Sequence, residues 1–294
     1  MIRTVMLGRL GNNLFQYAAG RVLAERHGVP LVMDASWFNG EGWGQVSSIR
    51  RLPIKARITR RFSIGSRALL KLTGKHHWEF LGKPEVRENT GHQVFDASVL
   101  SAPADCLMFG YFQSPLYFRE IEDTLRGEIN LTSVFTEPPP AALCKPLGAE
   151  GSVAVHVRRQ DFTRLPVFQV CDLAYYKGTM NQLRERLPSA RFFIFSDDPG
   201  WCERHFTEED ETVVNLPQSV GDPLLDLHLM SLASHHVIAN STYSWWAAWL
   251  GRKAGQVVIC PPRWFNSGMY APIGEKLCEG WEISSAPASP LLPS

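Results

Sequence analysis

Residues 153–162 read VAVHVRRQDF, an apolar and largely β-branched segment that ends in a polar cluster. The apolar part predicts a buried strand of a parallel sheet. His156 and Arg158 share one strand face because side chains alternate, and Arg159 and Asp161 follow. Ligands of open α/β sheets bind at the carboxyl ends of the strands, and the planar fork of arginine suits phosphate. The stretch therefore predicts an anion site at a sheet edge; the alternative is an Arg–Asp ion pair that only closes the strand.

The rest of the second half alternates between strand and helix patterns. Strand patterns occur at 191–196, 213–215, 236–240 and 256–260, and helical patterns from about 172, at 222–233 and at 241–251. This alternation predicts a doubly wound parallel sheet. The N-terminus predicts one βαβ unit, with a strand at 2–7, a Gly-containing loop at 8–13, a helix at 14–27 and a strand at 29–34.

The run Glu137-Pro-Pro-Pro140 indicates a boundary between two domains. We expect an N-terminal domain at 1–147 and a second domain at 148–264. The segment 265–294 is expected to pack back toward the N-terminal domain and to end in a loose, Pro- and Ser-rich tail.

The bulk composition is that of an ordinary globular protein. The chain has 294 residues and a formal net charge of +1, which gives no electrostatic case for a nucleic-acid partner. No apolar run approaches the roughly 20 residues that span a membrane, and the N-terminus has no signal-peptide pattern. We therefore expect a cytoplasmic, bacterial protein. Six cysteines without a C-x-x-C pair predict reduced structural thiols rather than a zinc site.

One segment departs from this charge balance. From Arg50 to Lys75 the chain has nine basic residues and no acidic one. A solvated helix face accounts for such a run. The alternative is peripheral attachment to an anionic surface, such as the inner membrane, or to an anionic acceptor.

Three further polar clusters are candidates for ligand binding. Ser196, Asp197 and Asp198 follow a strand, and this carboxylate pair either accepts from a nucleoside or caps the next helix. Where the strand at 236–240 turns into a helix, hydroxyls and backbone N–H groups converge and the helix dipole favours an anion, with plain capping and core packing as the alternatives. The residues of this second cluster are Asn240, Ser241, Thr242, Ser244 and Trp245. In the third cluster, Gly11, Asn12 and Asn13 predict contacts to a ligand across a cleft, or an N-cap and its neighbour.

Four segments together resemble the family 11 glycosyltransferases, the α-1,2-fucosyltransferases. In order they are GRLGNNLFQYAA at 8–19, HVRRQDF at 156–162, FFIFSDD at 192–198 and LMSLASHHVIANSTYSWWAAWL at 229–250. The resemblance implies an α/β fold of the GT-B type, in which two Rossmann-like domains face a cleft. The N-terminal domain would bind the acceptor and the C-terminal domain the nucleotide sugar.

The resemblance also implies an activity: inverting transfer of L-fucose from GDP-β-L-fucose to a hydroxyl of an oligosaccharide or lipid-linked glycan. The 2-hydroxyl of a terminal galactose in an O-antigen is the expected acceptor group. Neither a metal nor a cofactor is implied beyond the donor. The implied roles are Arg158 on the β-phosphate, Arg159 in the donor site, Ser241, Thr242 and Ser244 on the pyrophosphate, His156 and Asp197 on the nucleoside, and Asp161 as the base or as an orienter of the arginines.

One position departs from the family pattern. Gln160 stands where the family usually has glycine, which would allow an unusual backbone angle or a close approach of the sugar. The donor could therefore differ from GDP-fucose within the same fold. A non-catalytic module that binds sugar or nucleotide is the alternative from another class.

Overall fold

A computed structural model describes residues 1–38, 48–59, 82–88, 93–215, 222–267 and 272–290. Its contacts divide the chain into two compact units, Met1–Asn130 and Leu131–Ser294. The division falls before the proline run rather than at the expected 147/148, because the helix that follows the prolines packs within the second unit. Of the basic segment, the residues at 60–75 lie outside the described residues.

The first unit contains a five-stranded parallel sheet in the order β3-β2-β1-β5-β4. Its strands and α-helices are β1 Ile2–Val5, α1 Leu10–Arg26, β2 Leu31–Asp34, β3 Arg57–Thr59, β4 Glu85–Arg87, β5 Cys106–Phe109 and α2 Glu122–Glu128. The βαβ unit predicted at the N-terminus is therefore present. All four positions of β1 are buried, as a central parallel strand requires.

Helix α1 begins at Leu10, four residues before the predicted start, so Gly11 and Asn13 lie within the helix instead of in a loop. Gly8 makes the turn on its own, with a φ of +68° that favours glycine. The Asn13 side chain donates to the Leu7 carbonyl at 3.0 Å and so ties the helix start to the strand end. The apolar pattern could not reveal this because the first turn of the helix is polar.

The second unit contains a six-stranded parallel sheet in the order β11-β10-β9-β6-β7-β8. Its strands and helices are α3 Ala141–Leu147, β6 Ser152–Val157, α4 Leu173–Arg186, β7 Arg191–Ser196, α5 Pro199–His205, β8 Glu211–Val213, α6 Pro223–Leu232, β9 His235–Val237, α7 Thr242–Leu250, β10 Val258–Cys260 and β11 Glu282–Ile283. Counted from β6, this is the 3-2-1-4-5-6 order of a Rossmann sheet. The predicted α/β fold with two Rossmann-like units, each built on a parallel sheet, is confirmed.

The chain leaves β6 toward β7 on one side and returns to β9 on the other. The carboxyl ends of β6 and β9 therefore flank the switch point of the sheet, where Rossmann folds bind their ligands. Alternate residues of β6, namely Val153, Val155 and Val157, pack into a core with Tyr175 and Tyr176 of α4. This packing fixes the register of β6 and so determines where the polar residues after it emerge.

The C-terminal segment packs on the second unit, and the expectation that it also returns toward the N-terminal domain stays a prediction. Strand β11 pairs with β10 at the sheet edge. Beyond it, the Ser284 and Thr179 hydroxyls hydrogen-bond at 2.6 Å, and Ala286 lies over Gly178 of α4. The end of the predicted loose tail, residues 291–294, lies outside the described residues. Within the described part of the chain, no helix has both the length and the apolar character needed to cross a bilayer.

The close approach of two elements in the second unit predicts a strict glycine at 251. A Cβ there would lie 2.5 Å from the Ser231 carbonyl oxygen, a backbone atom that cannot rotate away. We expect Gly251→Ala to lower the free energy of unfolding by about 1–3 kcal/mol. The control is Gly200→Ala in α5, where the nearest atom is 3.8 Å away, and where a change within about 0.5 kcal/mol or a small gain is expected. Urea unfolding measures both, and equal effects would contradict this packing.

Candidate functional site

The polar residues predicted to bind a ligand in the second unit emerge at one edge of its sheet. Arg158 directly follows β6, Asp197 directly follows β7, and Ser241 precedes α7 in the connection that leaves β9. Because these three strands are parallel neighbours, their carboxyl ends lie together. The structure thus brings together the three strand-end clusters that the sequence predicts.

Arg158 lies at the centre of this edge, with its guanidinium between two carboxylates. Its Nη2 donates to Asp161 Oδ1 at 2.6 Å, and its Nη1 is 2.8 Å from Asp197 Oδ2. The Arg158 and Asp197 side chains are each 15% exposed, whereas that of Asp161 is 38% exposed. Asp197 also accepts from the Arg159 backbone N–H at 2.9 Å. The guanidinium plane is therefore fixed from the buried side and remains open on the side of Asp161.

The Arg159 side chain turns away into a separate cluster. Its Nε donates to Asp198 at 3.1 Å, and its guanidinium stacks on Trp201 at 3.9 Å. Asp198 caps α5 by accepting from the Trp201 N–H. Ser196 belongs to the same turn, since its hydroxyl accepts from the Asp198 N–H at 3.0 Å. The ion-pair alternative therefore applies to Arg159, and the capping alternative applies to Asp198.

His156 contributes a neutral, buried imidazole beneath Arg158. Its residue is 5% exposed, and its ring lies 5.6 Å from the ring of Tyr243 on α7. Burial, with the nearby charge of Arg158, lowers the pKa of His156 from 6.5 to about 3. Within the described residues Nδ1 has no hydrogen-bond partner. An unsatisfied buried polar atom costs about 1–3 kcal/mol, so a ligand hydroxyl or N–H at Nδ1 would be strongly favoured.

Helix α7 begins at the edge formed by the carboxyl ends of β6, β7 and β9, which we call the ligand edge. Ser241 is the N-cap, and its side chain makes no capping hydrogen bond. Thr242 is the first helical residue. The first N–H groups of a helix lack intrahelical partners and carry the positive end of its dipole. This end of α7 has the groups that an anion needs, and binding of an anion by Ser241 and Thr242 stays a prediction.

Three other residues of that cluster have hydrogen-bond partners inside the protein, and their assignment to the donor site stays a prediction. Asn240 donates to the carbonyls of Phe168 and Trp264, at 3.1 and 2.9 Å. Ser244 is 1% exposed and donates to the Ser241 carbonyl at 3.1 Å. Trp245 is buried and donates to the Lys276 carbonyl at 2.6 Å. Their partners are backbone oxygens of the same unit.

The N-terminal candidates belong to the first unit. Gly11 and Asn13 are buried in α1, and the Asn13 amide also donates to Gln16 Oε1 at 3.1 Å. Asn12 Oδ1 accepts from Gln113 Nε2 at 3.0 Å. Arg9 is the N-cap of α1, so the alternative that the asparagines are an N-cap and its neighbour is wrong. A role for Gly11, Asn12 and Asn13 in ligand binding stays a prediction.

The structure adds one cation that the sequence interpretation missed. Arg263 lies three residues after β10, at the same edge of the sheet. Its Nε and Nη2 both donate to the amide oxygen of Asn266, at 3.2 and 3.0 Å. The missed signal was an arginine three residues after the apolar strand 256–260, a pattern similar to the one that drew attention to Arg158.

Gln160 does not have a backbone that requires glycine. Among the described residues other than glycine, only Gln93 and Phe112 have positive φ. The Gln160 amide donates to the Asp197 carbonyl at 2.5 Å, which gives this side chain a place on the strand-end loop. Among the described residues no group of three His, Cys, Asp or Glu side chains could hold a metal ion. The absence of a metal requirement stays a prediction.

Comparisons with known proteins agree with one another. Residues 73–282 match the family model described as Glycosyl transferase family 11. An α-1,2-colitosyltransferase of Escherichia coli is 27% identical over 89% of this chain and 91% of its own length. The O-antigen biosynthesis glycosyltransferase WbnK of E. coli is 26% identical over 88% of this chain and 93% of its own. Mouse galactoside 2-α-L-fucosyltransferase Sec1 is 30% identical over 83% of this chain and 62% of its own.

The buried histidines predict a specific response to acid. A histidine with a pKa of about 6.5 when unfolded and about 3 when folded takes up a proton on unfolding between these pH values. Stability therefore falls as pH falls below about 6.5, by about 1 kcal/mol per pH unit for each such group. We expect His156→Gln to weaken this dependence in urea unfolding compared at about pH 7 and about pH 5.

His236→Gln is the matched comparison. Burial also lowers the pKa of His236 to about 3, but its Nε2 is bonded to the Met230 carbonyl at 3.0 Å. This variant should weaken the acid response to a similar extent and lose stability at neutral pH as well. A His156→Gln protein with the full wild-type pH dependence would show that His156 does not titrate on unfolding.

Proposed function

The chain belongs to glycosyltransferase family 11, and from this premise we propose that it transfers L-fucose from GDP-β-L-fucose to a glycan hydroxyl. The acceptor group is the 2-hydroxyl of a terminal galactose, on an oligosaccharide or a lipid-linked O-antigen glycan. The transfer inverts the anomeric configuration and uses no metal ion. The observation that carries the proposal is the guanidinium of Arg158 at the switch point of the second sheet, beside the N-terminus of α7.

The linkage and sugar follow the names of the relatives. One relative is named for an α-1,2-colitosyl transfer and another for a 2-α-L-fucosyl transfer to galactosides. A third is named for O-antigen biosynthesis. Position 2 of the acceptor and a fucose-like donor sugar are the features that these names support for this chain.

Arg158 has the geometry to assist departure of the nucleoside diphosphate. A guanidinium holds a phosphate through two parallel charge-assisted hydrogen bonds, and it stabilises the charge that develops on the leaving oxygen. Asp197 fixes the guanidinium from the buried side, so the fork does not have to reorganise during the reaction. The backbone N–H groups at Ser241 and Thr242 provide the second contact to the pyrophosphate.

His156 is suited to a neutral contact with the nucleoside. Its lowered pKa keeps the ring uncharged at physiological pH. Its unpartnered Nδ1 accepts a hydrogen bond from a ribose hydroxyl or a base N–H if the proton resides on Nε2. Asp197 already forms an ion pair with Arg158 and accepts from the Arg159 N–H. It therefore affects nucleoside binding indirectly, by fixing the position of the loop after β6.

Asp161 connects donor binding with the acceptor proton. In the absence of ligand its carboxylate shares Arg158 Nη2, and it is the more exposed of the two carboxylate partners. A phosphate oxygen that takes Nη2 displaces Asp161, which is then free to accept the proton of the attacking hydroxyl. The hydroxyl attacks C1 of the sugar from the face opposite to the departing diphosphate.

A second donor has an observation of its own. The relative named α-1,2-colitosyltransferase aligns with almost the whole chain, and colitose is L-fucose without its 3-hydroxyl. A GDP-linked 3-deoxy sugar would use the same phosphate contacts and differ only where the ring meets the protein. Gln160, with its side chain on the strand-end loop, is the residue of this chain that distinguishes it from the family pattern there.

The assay of choice incubates the full chain with GDP-fucose or GDP-colitose and a panel of galactose-terminated glycans. Mass spectrometry then detects the added sugar, and the linkage is determined by NMR. Titrations with GDP, UDP and CMP test the nucleotide separately. Tighter binding of UDP than of GDP would overturn the donor assignment.

Arg158→Lys tests the fork directly, because lysine keeps the charge but cannot make two parallel bonds. We expect the variant to retain less than about a tenth of the wild-type rate, a loss above about 1.4 kcal/mol in the barrier. Arg184→Lys is the matched control, since Arg184 also pairs with two carboxylates, Asp210 and Glu211, but beside the amino end of β8. The control should lose stability and keep its rate.

Asp161→Asn and Asp197→Asn separate the base from the orienter. We expect Asp161→Asn to lower turnover at least tenfold with GDP affinity kept, because the carboxylate accepts the proton only during reaction. Asp197→Asn should weaken GDP binding and turnover together, because it frees the guanidinium on its buried side. If Asp161→Asn weakens GDP binding as much as Asp197→Asn, Asp161 is an orienter and the base is elsewhere.

A further inference from the structure

We propose that Arg263, on the loop after β10, is a second phosphate-binding residue of this site and supplies the positive charge that a nucleoside diphosphate requires there. The proposal rests on the proposed function and deepens it by naming a donor contact. No resemblance in the sequence pointed to this residue. Two observations support it: the charges of the residues at the ligand edge, and the neutral partner that holds the Arg263 guanidinium.

The cluster after β6 and β7 is not positive by itself. Two guanidinium groups, of Arg158 and Arg159, face three carboxylates. These carboxylates are those of Asp161, Asp197 and Asp198. With each group ionised the cluster carries one net negative charge, whereas a diphosphate carries at least two. Arg158 can orient a phosphate, but the ion-paired groups supply no net positive charge, and Arg164 on the same loop is exposed to solvent.

Arg263 is a guanidinium without a counter-charge in the described part of the chain. Its partner at 3.0–3.2 Å is the Asn266 amide oxygen, which is neutral. One acceptor atom binds two of its five N–H groups, and no described carboxylate forms an ion pair with it. The amide therefore fixes the direction of the fork and leaves both its charge and its remaining donors for a ligand.

The support of Arg263 is rigid. Asn266 is 3% exposed, and its backbone N–H donates to the Val167 carbonyl at 2.7 Å. The Trp264 carbonyl accepts from Asn240, which also donates to Phe168. The loop after β10 is thus bonded both to the connection that enters α7 and to the loop after β6. Such cross-links hold a binding side chain in place more firmly than a free surface loop does.

The strand order places Arg263 next to the proposed pyrophosphate contacts. The order β10-β9-β6 puts the connection to α7 between the loops that carry Arg263 and Arg158. Two strand spacings separate β10 from β6, about 10 Å in all. Arginines on both flanks of a helix N-terminus suit the two phosphates of a diphosphate better than a single charge. For this reason the donor is favoured over an anionic group on the acceptor.

The test measures GDP binding to the full chain by calorimetry in wild type, Arg263→Gln and Asn266→Asp. The glutamine removes the charge, and the aspartate keeps the guanidinium but gives it a carboxylate partner. We expect Arg263→Gln to weaken GDP binding about tenfold or more, the loss expected for hydrogen bonds to a charged group. Asn266→Asp should weaken it in the same direction. Guanosine, which lacks phosphate, should bind all three proteins equally, and Arg263→Lys should recover part of the loss.

Arg191→Gln is the charge control, because it removes the same charge from an exposed residue at the amino end of β7. It should bind GDP as wild type does. Unchanged GDP affinity in Arg263→Gln overturns the proposal, and so does an equal loss for guanosine, which would indicate a damaged fold. A raised KM for the acceptor with unchanged GDP affinity also overturns it and assigns Arg263 to the acceptor. If the wild-type protein prefers UDP or ADP to GDP, only the assignment of GDP-fucose as donor is overturned. The same variants then test Arg263 with the preferred nucleoside diphosphate.

Discussion

The guanidinium of Arg158 between Asp161 and Asp197 is the interaction around which the second unit is organised. It joins the carboxyl ends of β6 and β7 beside the switch point of the sheet, 2.6 and 2.8 Å from its two carboxylate partners. An arginine held in this way has little freedom left to lose when it meets a phosphate. The buried partner gives rigidity, and the exposed partner is the one that a ligand can replace.

The groups around this pair differ in how their charge is compensated. Arg159 and Asp198 neutralise each other and are covered by Trp201, so they stabilise the turn into α5. His156 is uncharged because burial lowers its pKa to about 3. Beyond these pairs, the N-terminus of α7 and Arg263 are the sources of positive charge that our proposal assigns to the ligand. In this proposal Arg158 orients the anion, whereas Arg263 and the N-terminus of α7 attract it.

The site depends on contacts that lie behind it. Asn240 ties three loops together through the carbonyls of Phe168 and Trp264. Gly251 allows the end of α7 to approach the Ser231 carbonyl, because a Cβ would lie 2.5 Å from it. The C-terminal segment adds β11 to the sheet edge and crosses α4 at Gly178. Each contact is a close backbone approach or a buried polar bond, and small changes in such places shift loops that carry ligand-binding groups.

The sequence by itself determined the two parallel sheets, the strands at 152–157 and 191–196, and the three strand ends that carry polar residues. These features are local. A buried strand has a continuous apolar pattern, and the sequence directly gives the polar residues that follow it. It also identified the family through four ordered segments. Tertiary structure alone decided which polar side chains are bonded to distant parts of the protein. Arg159 meets Asp198 across 39 positions of sequence, and Asn240 meets Phe168 across 72. Polar residues of the same motif differ in whether a distant carbonyl or carboxylate bonds to them. The local sequence does not encode these contacts, because the partners are far away along the chain.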